Sequence, residues 1–181
     1  MKIEEMFTMA KIRDGSTYLD RHLSANDYYA EHESVKGQWI GKASELLELK
    51  GEISTGDGGF ESLRKNLHPV SREKLTPRNV ANRVCFLDFQ CSAPKSVSIM
   101  AMTLGDARLL QAHDQAVTKA FTELESFAAT QTNTITHRSV RSTGNVVSAR
   151  FRHTASRALD PQVHTHLVTA NATWDAATKS W

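Results

Sequence analysis

Between Asn145 and Phe151 the residues Val147, Ala149 and Phe151 alternate with Val146, Ser148 and Arg150, the period-two pattern of a strand with one buried face. His153 continues the odd-numbered, inward set. The following TASRALDPQV contains Asp160-Pro161, a turn signal, and HTHLVTANAT then resumes an alternating, β-branched character. Two strands about a loop of this length are most simply an antiparallel pair.

The rest of the chain alternates between the two periods. MFTMAKI reads as a short strand. Asp14-Gly15 is a turn, after which Ser16 or Thr17 can cap a helix with Asp20 in its first turn. Ala43 to Leu49 predicts a short helix stopped by Gly51. STGDGGF reads as a flexible linker, FESLRKNLH as an amphipathic helix, and Pro69 to Asn82 as an exposed polar loop carrying Arg72, Lys74 and Arg78. Arg83 to Cys91 is an apolar, β-prone run interrupted by Asp88. Ser92 is placed to cap a helix that opens near Pro94. Gly105-Asp106 introduces the clearest helix, with Leu109, Leu110, His113, Val117, Phe121, Leu124 and Phe127 recurring at three or four residues. TQTNTITHRSVRSTGN predicts a β-hairpin leading into the histidine strand. Strands first, helices between and strands again predict an α+β fold, a mostly antiparallel sheet with its helices on one face.

This pattern turns three histidines into a constellation. Side chains on a strand repeat every second residue, so His164 and His166 share a face, and His153 on the partner strand can join them. Three imidazoles converging on one point describe a divalent-metal site with open coordination positions. A lone His-x-His is more often coincidence; the third histidine on the inward set of the neighbouring strand shifts the balance. Neutral imidazoles suit a transition metal better than Mg²⁺. Asp88 is costly in mid-strand unless paired, and could orient a metal-binding histidine or accept a proton. A structural ion pair or an outward edge position would also explain it. His113, on the apolar stripe of its helix, reads as a packing histidine.

Composition narrows the class. The 181 residues are 40% hydrophobic and 23% charged, enough for one domain with a sizeable core. No apolar run is long enough to span a membrane, and the charge-interrupted start is no signal peptide, so a cytoplasmic location is expected. Cys85 and Cys91, on one strand, would lie roughly 20 Å apart, beyond disulfide reach, and read as buried thiols. The formal charge of +2 allows nucleic acid as a partner without arguing for it. Arg138, Arg141, Arg150, Arg152 and Arg157 cluster around the histidines, a pattern that is more often a solvated face than a phosphate track. All three tyrosines, Tyr18, Tyr28 and Tyr29, lie within the first 29 residues.

Four blocks, in order, carry a family resemblance: Tyr18 followed by Asp27-Tyr28-Tyr29; Trp39, Gly41 and Lys42 with Leu49 and Gly51; Asp88 with SAPKSVS up to Ser98; and Thr143-Gly144-Asn145 followed by F-x-H-x-x-S-R-x-x-D-P-Q-x-H-T-H up to His166. Together they cover nearly the whole chain, which resembles the N-terminal part of a conjugative relaxase of the TrwC/TraI (MobF) class, within the HUH endonucleases. The resemblance implies a palm-like antiparallel sheet holding one divalent metal ion, Mg²⁺, Mn²⁺ or Zn²⁺, through His153, His164 and His166. Asp88 matches the acid that supports that centre. Tyr18 matches the first nucleophile, and Tyr28 or Tyr29 the second. The implied activity is site- and strand-specific DNA nicking and rejoining through a 5′-phosphotyrosyl intermediate. The implied partners are single-stranded DNA with adjoining duplex or hairpin at a plasmid transfer origin, accessory relaxosome proteins and a type IV secretion system. Arg72, Arg78, Lys95, Arg150 and Arg152 become candidates for DNA contact. Leu19 stands where members often carry a further tyrosine, and Ala43 where a glycine is expected. Relaxase domains of this class run past the His164–His166 strand, so residues 1–181 are expected to be the N-terminal part of one, incomplete at its C-terminus.

Rival functions share part of this logic. A rolling-circle replication initiator or a transposase uses the same histidine and tyrosine chemistry, but the SAPKSVS and D-P-Q-x-H-T-H blocks favour the relaxase. A DNA-binding module without cleavage would use the tyrosines only for stacking. A cupin-like enzyme acting on small molecules would need a glutamate shortly after His-x-His, and none is present.

Overall fold

The histidine-bearing segment forms the centre of the sheet. The structure is a computed structural model and describes residues 6–13, 37–53, 57–77, 80, 82–133, 138–156 and 158–181. In chain order the elements are β1 (Phe7–Ile12), β2 (Gly37–Ile40), α1 (Lys42–Leu46), β3 (Glu52–Ile53), α2 (Gly58–Arg64), β4 (Phe86–Ser92), α3 (Lys95–Thr103), α4 (Ala107–Ser126), β5 (Ala129–Asn133), β6 (Arg138–Ser142), β7 (Ser148–Ala155) and β8 (Pro161–Ala170). Six strands make one sheet in the order β1-β4-β8-β7-β2-β3, every neighbouring pair antiparallel, and β5-β6 is a separate hairpin. The expected helix after Asp14-Gly15 lies outside the described residues.

Alternation along these strands gives the sheet two different faces. The front face carries Phe86, Asp88, Gln90 and Ser92 of β4, His164, His166, Val168 and Ala170 of β8, and Ala149, Phe151 and His153 of β7. Its apolar half is buried with Trp39, Ala43 and Leu47 beside α1 and Phe60 and Leu63 of α2. The Phe60 and Phe86 rings stack there at 4.5 Å. On the rear face Leu167 and Cys91 pack with Val117 and Phe121 of α4. Helices therefore cover both faces, not the one face the element order predicts. The reason is readable in β8, whose last four residues are all buried: both of its alternating sets need a cover.

Several boundaries move for local physical reasons. Gly58 and Gly59 belong to α2, because Asp57 caps that helix by accepting from Phe60 N at 2.9 Å, so part of the expected linker is helical. Ser92 ends β4 instead of capping, and Pro94 occupies the N-cap position of α3. Strands β7 and β8 reach Ala155 and Pro161, so the loop between them is shorter than the sequence pattern suggests.

The long helix differs in which face it buries. The buried residues of α4 are His113, Val117, Phe121 and Glu125, while Phe127 is 81% exposed. Glu125 is 4% exposed because its carboxylate accepts from Lys42 N at 2.7 Å and Val146 N at 3.2 Å, closing the N-terminus of α1. Gly41 completes the joint: its φ is 101°, and a Cβ there would sit 2.2 Å from Val146 O. The Trp39–Lys42 and Thr143–Asn145 blocks thus meet at one corner, where Lys42 Nζ also donates to Gly144 O at 3.2 Å.

Candidate metal centre

The centre is built by register. His153 on β7 lies directly opposite His164 on β8, and His166 lies opposite Phe151 on one side and Gln90 on the other. Residues opposite one another across antiparallel strands project to the same face, so the three imidazoles are gathered on the front. His153 is buried, and His164 and His166 are half-buried. The half of the face not covered by α1 and α2 is where they sit.

Ring geometry tests whether they fit a metal. With a metal–nitrogen bond of about 2.1 Å, three imidazoles at tetrahedral angles would hold their ring centroids about 5.2 Å apart. The observed separations are 5.1 Å for His153–His164, 5.3 Å for His164–His166 and 5.6 Å for His153–His166. As the side chains stand, no group of three His, Cys, Asp or Glu among the described residues is placed to hold a metal ion. The His153 and His164 planes are 21° apart, face to face. Holding one ion would require the rings to turn out of this stacked arrangement, and the donor set suits a transition metal.

Two of the three rings are oriented from behind the nitrogen that would bind. Asp88, opposite Val168 on β4, places both carboxylate oxygens 2.9 and 3.0 Å from His166 Nδ1. The Gln162 carbonyl lies 2.9 Å from His164 Nδ1. A carbonyl can only accept, so His164 Nδ1 donates, and an ionised Asp88 fixes His166 in the same tautomer. Both arrangements leave the lone pair on Nε2, the usual partnership of a metal-binding histidine. Asp88, 8% exposed, also acts on the rear face: burial first, and then the Asp88 charge, push the Cys91 thiol up to about 11.

The other expected site residues are dispersed. Lys95 opens α3 at the histidine end of the sheet, its Nζ 3.9 Å from Asp160 Oδ2 in the β7–β8 loop. Arg150 and Arg152 project from the rear face, where Arg150 donates to Gln38 at 2.8 Å and Arg152 to Asp114 at 2.5 Å. Arg72 lies on the exposed loop after α2 and donates to Ser62 at 2.6 Å. Tyr18, Tyr28, Tyr29 and Arg78 lie outside the described residues. Ser92 escapes the sequence reading: read there as a cap, it stands on the front face opposite His164. The period-two rule applied onward from Asp88 would have found it.

With this geometry in hand, comparison with known proteins decides the family. The TrwC relaxase family description matches residues 12–181. The chain belongs to the TrwC relaxase family. Among curated relatives, this relaxase-family chain is 36% identical over 169 residues to the multifunctional conjugation protein TraI of Escherichia coli K12, covering 93% of itself and 10% of that protein. A second Escherichia coli TraI is 38% identical over 157 residues, with 83% of this chain and 9% of that protein covered. The chain therefore spans about a tenth of the length of these relatives. Among solved structures, a copper-bound TrwC relaxase in complex with oriT DNA superposes with a TM-score of 0.82 and 32% identity, covering 95% of this chain and 59% of that one. A metal-free TrwC complex with oriT DNA gives 0.75 and 31%, covering 95% and 58%. The relaxase family and the antiparallel α+β fold are both as the sequence resemblance implies.

Proposed function

We propose that this chain carries the nicking and rejoining centre of a conjugative relaxase, cutting one DNA strand at a plasmid transfer origin. The observation that supports the reading above all others is the gathering of His153, His164 and His166 on one sheet face, with Asp88 fixing His166. Relatives of the same family, solved on oriT DNA in metal-bound and metal-free forms, support the substrate and the need for a metal.

His153, His164 and His166 would hold a divalent ion, for which three nitrogen donors favour a transition metal over Mg²⁺. When bound, the ion polarises the non-bridging oxygens of the scissile phosphate. Asp88 keeps the His166 lone pair on Nε2. The Tyr18 phenolic oxygen attacks phosphorus, forming a tyrosyl–phosphate bond as the bond to the 3′ oxygen breaks; the phenolic proton leaves and the 3′ oxygen ends as a hydroxyl. The covalent ester conserves the phosphodiester linkage, so attack by a 3′ hydroxyl reverses the step and rejoins the strand. Tyr28 or Tyr29 supplies a second nucleophile. Of the candidate basic groups among the described residues, Lys95, at the histidine end of the sheet, is the one placed for DNA contact near the centre, while Arg150 and Arg152 stand on the opposite face and Arg72 is bonded to Ser62. Accessory relaxosome proteins and a type IV secretion system complete the cytoplasmic assembly. Among the described residues no helix is long and apolar enough to cross a membrane.

The test is incubation with a labelled single-stranded oligonucleotide spanning the chain's own transfer origin, with and without Mn²⁺, followed by a denaturing gel. A metal-dependent protein–DNA adduct lost in Tyr18→Phe, with DNA binding retained, is expected. Binding without an adduct in both proteins would identify a DNA-binding module instead.

A further inference from the structure

Each histidine of the centre has a chain neighbour held by a helix. Arg152, beside His153, is paired with Asp114 of α4 at 2.5 Å. Thr165, between His164 and His166, has its hydroxyl 2.9 Å from His113 Nε2, one residue before Asp114 on the same helix. Val163, beside His164, donates its backbone N–H to Ser98 Oγ of α3 at 3.0 Å, and that hydroxyl donates to Pro94 O at 3.2 Å.

Burial separates the strong contacts from the weak one. Arg152 and Asp114 are 40% and 34% exposed, so solvent screens their pair. Thr165 and Ser98 are 0% exposed and His113 is 9% exposed, so their polar atoms have no ready replacement partner in water. Strands β4 and β7 hold β8 on both sides through their backbone ladders, and the contacts at Val163 and Thr165 add a further restraint from the helices. The Val163 N–H held by Ser98 and the Thr165 hydroxyl held by His113 on the rear face flank the two ligands, and because Cβ directions alternate, restraining this segment aims the His164 and His166 side chains at the front. Metal ligands tolerate only about 0.5 Å of misplacement, so a brace one residue from each of these two ligands bears directly on them.

We infer that Ser98 and His113 are positioning residues for the metal centre, His113 bracing Thr165 from the opposite face and Ser98 holding the backbone at Val163 beside His164. This gives the buried end of the SAPKSVS block a task, and it gives His113, which the helix periodicity reads as packing, a second one. The inference rests on the metal-centre reading above.

The experiment is titration of the chain with Co²⁺, following the visible absorption band, which reports affinity and ligand geometry together. Thr165→Val, Ser98→Ala and His113→Leu each weaken Co²⁺ binding by about 10-fold and alter the band. Thr165→Ser keeps the hydroxyl, and His113→Gln keeps a nitrogen near the Nε2 position; both retain most of the affinity. Denaturant unfolding of the metal-free variants separates loss of fold from loss of aim, and near-isosteric Thr165→Val decides if His113→Leu does not fold. Unaltered affinity and band in Thr165→Val and Ser98→Ala would overturn the inference, as would Thr165→Ser falling as far as Thr165→Val. Absence of Co²⁺ binding by the unaltered chain would overturn the metal-centre reading itself, and the brace with it.

Discussion

Asp88 shows how much a single carboxylate can decide. Its two oxygens lie 2.9 and 3.0 Å from His166 Nδ1, and on the proposed reading its worth to the centre is the tautomer it selects. Asp88→Asn keeps the volume but can offer an amide N–H to that nitrogen, moving the lone pair to Nδ1 and the proton to Nε2. Metal affinity measured by calorimetry is expected to fall about 10- to 100-fold, with little change in metal-free stability. Affinity equal to that of the unaltered chain would show that Asp88 does not set the tautomer. The same carboxylate influences Cys91 from the other side of the sheet. With that thiol raised to about 11, behind burial as the larger cause, the thiolate is about one part in a thousand at pH 8. Mass spectrometry after iodoacetamide treatment at pH 8 should therefore find Cys91 unmodified in the folded chain and modified once denaturant is added. The sequence marks Asp88 as anomalous because charge interrupts an apolar strand, yet it leaves open whether the partner is an ion pair or a histidine. Register across β4 and β8 resolves that, and register is not written in either strand alone.

Helices illustrate the limit of periodicity more sharply than strands. The start of α4 is legible, since Asp106 caps it, but the apolar spacing runs on to Phe127 and past the helix's end at Ser126, where Ala129 already opens β5. The buried stripe of α4 is not legible, because counting apolar residues selects Leu124 and Phe127 over Glu125. What buries Glu125 is the pair of backbone donors it serves, Lys42 N and Val146 N, from two distant segments. Glu125→Leu leaves both without that acceptor and should lower unfolding free energy by about 2–4 kcal/mol in chemical denaturation; a loss near zero would mean water takes over both. At the surface of α2 the effects are smaller. Glu61 is held down to about 2, chiefly by its hydrogen bonds to Arg64 and with help from Lys65. A carboxyl depressed in the folded state stabilises above its ordinary value of 4.5 and loses that contribution as pH falls from there towards 2. Because Glu61 is 42% exposed, solvent screening holds the contribution below about 1 kcal/mol. The stability difference between Glu61→Gln and the unaltered chain should be present at pH 7 and fade by pH 2, as read from denaturation midpoints; a difference independent of pH would assign it to something other than charge.

At the scale of the whole molecule, one sheet does two jobs because its front face is divided. Phe86, Val168, Ala170 and Phe151 bury one half against α1 and α2, while Asp88, His153, His164 and His166 occupy the other. The histidine triad was legible in the sequence because period-two alternation fixes faces before any contact is known. The rear brace and the cover on both faces were not, since they depend on which helix reaches which strand. A divided face of this kind links metal binding to folding. The three candidate ligands come from two strands whose pairing is part of the core, so an ion that bound them would stabilise the fold they belong to. Free metal at 100 times its dissociation constant should add about 2.7 kcal/mol, which for a chain of this size raises the melting temperature by about 5–11 °C. Calorimetric melting with and without Mn²⁺ or Zn²⁺ measures it. His166→Ala should lose the increment while His113→Gln keeps most of it. An equal rise in His166→Ala would place the ion elsewhere, and no rise in the unaltered chain would count against the metal-centre reading itself. The increment belongs to the folded sheet because only pairing of β7 with β8 brings His153 opposite His164; in the unfolded chain no register holds them together, and binding energy there is correspondingly small.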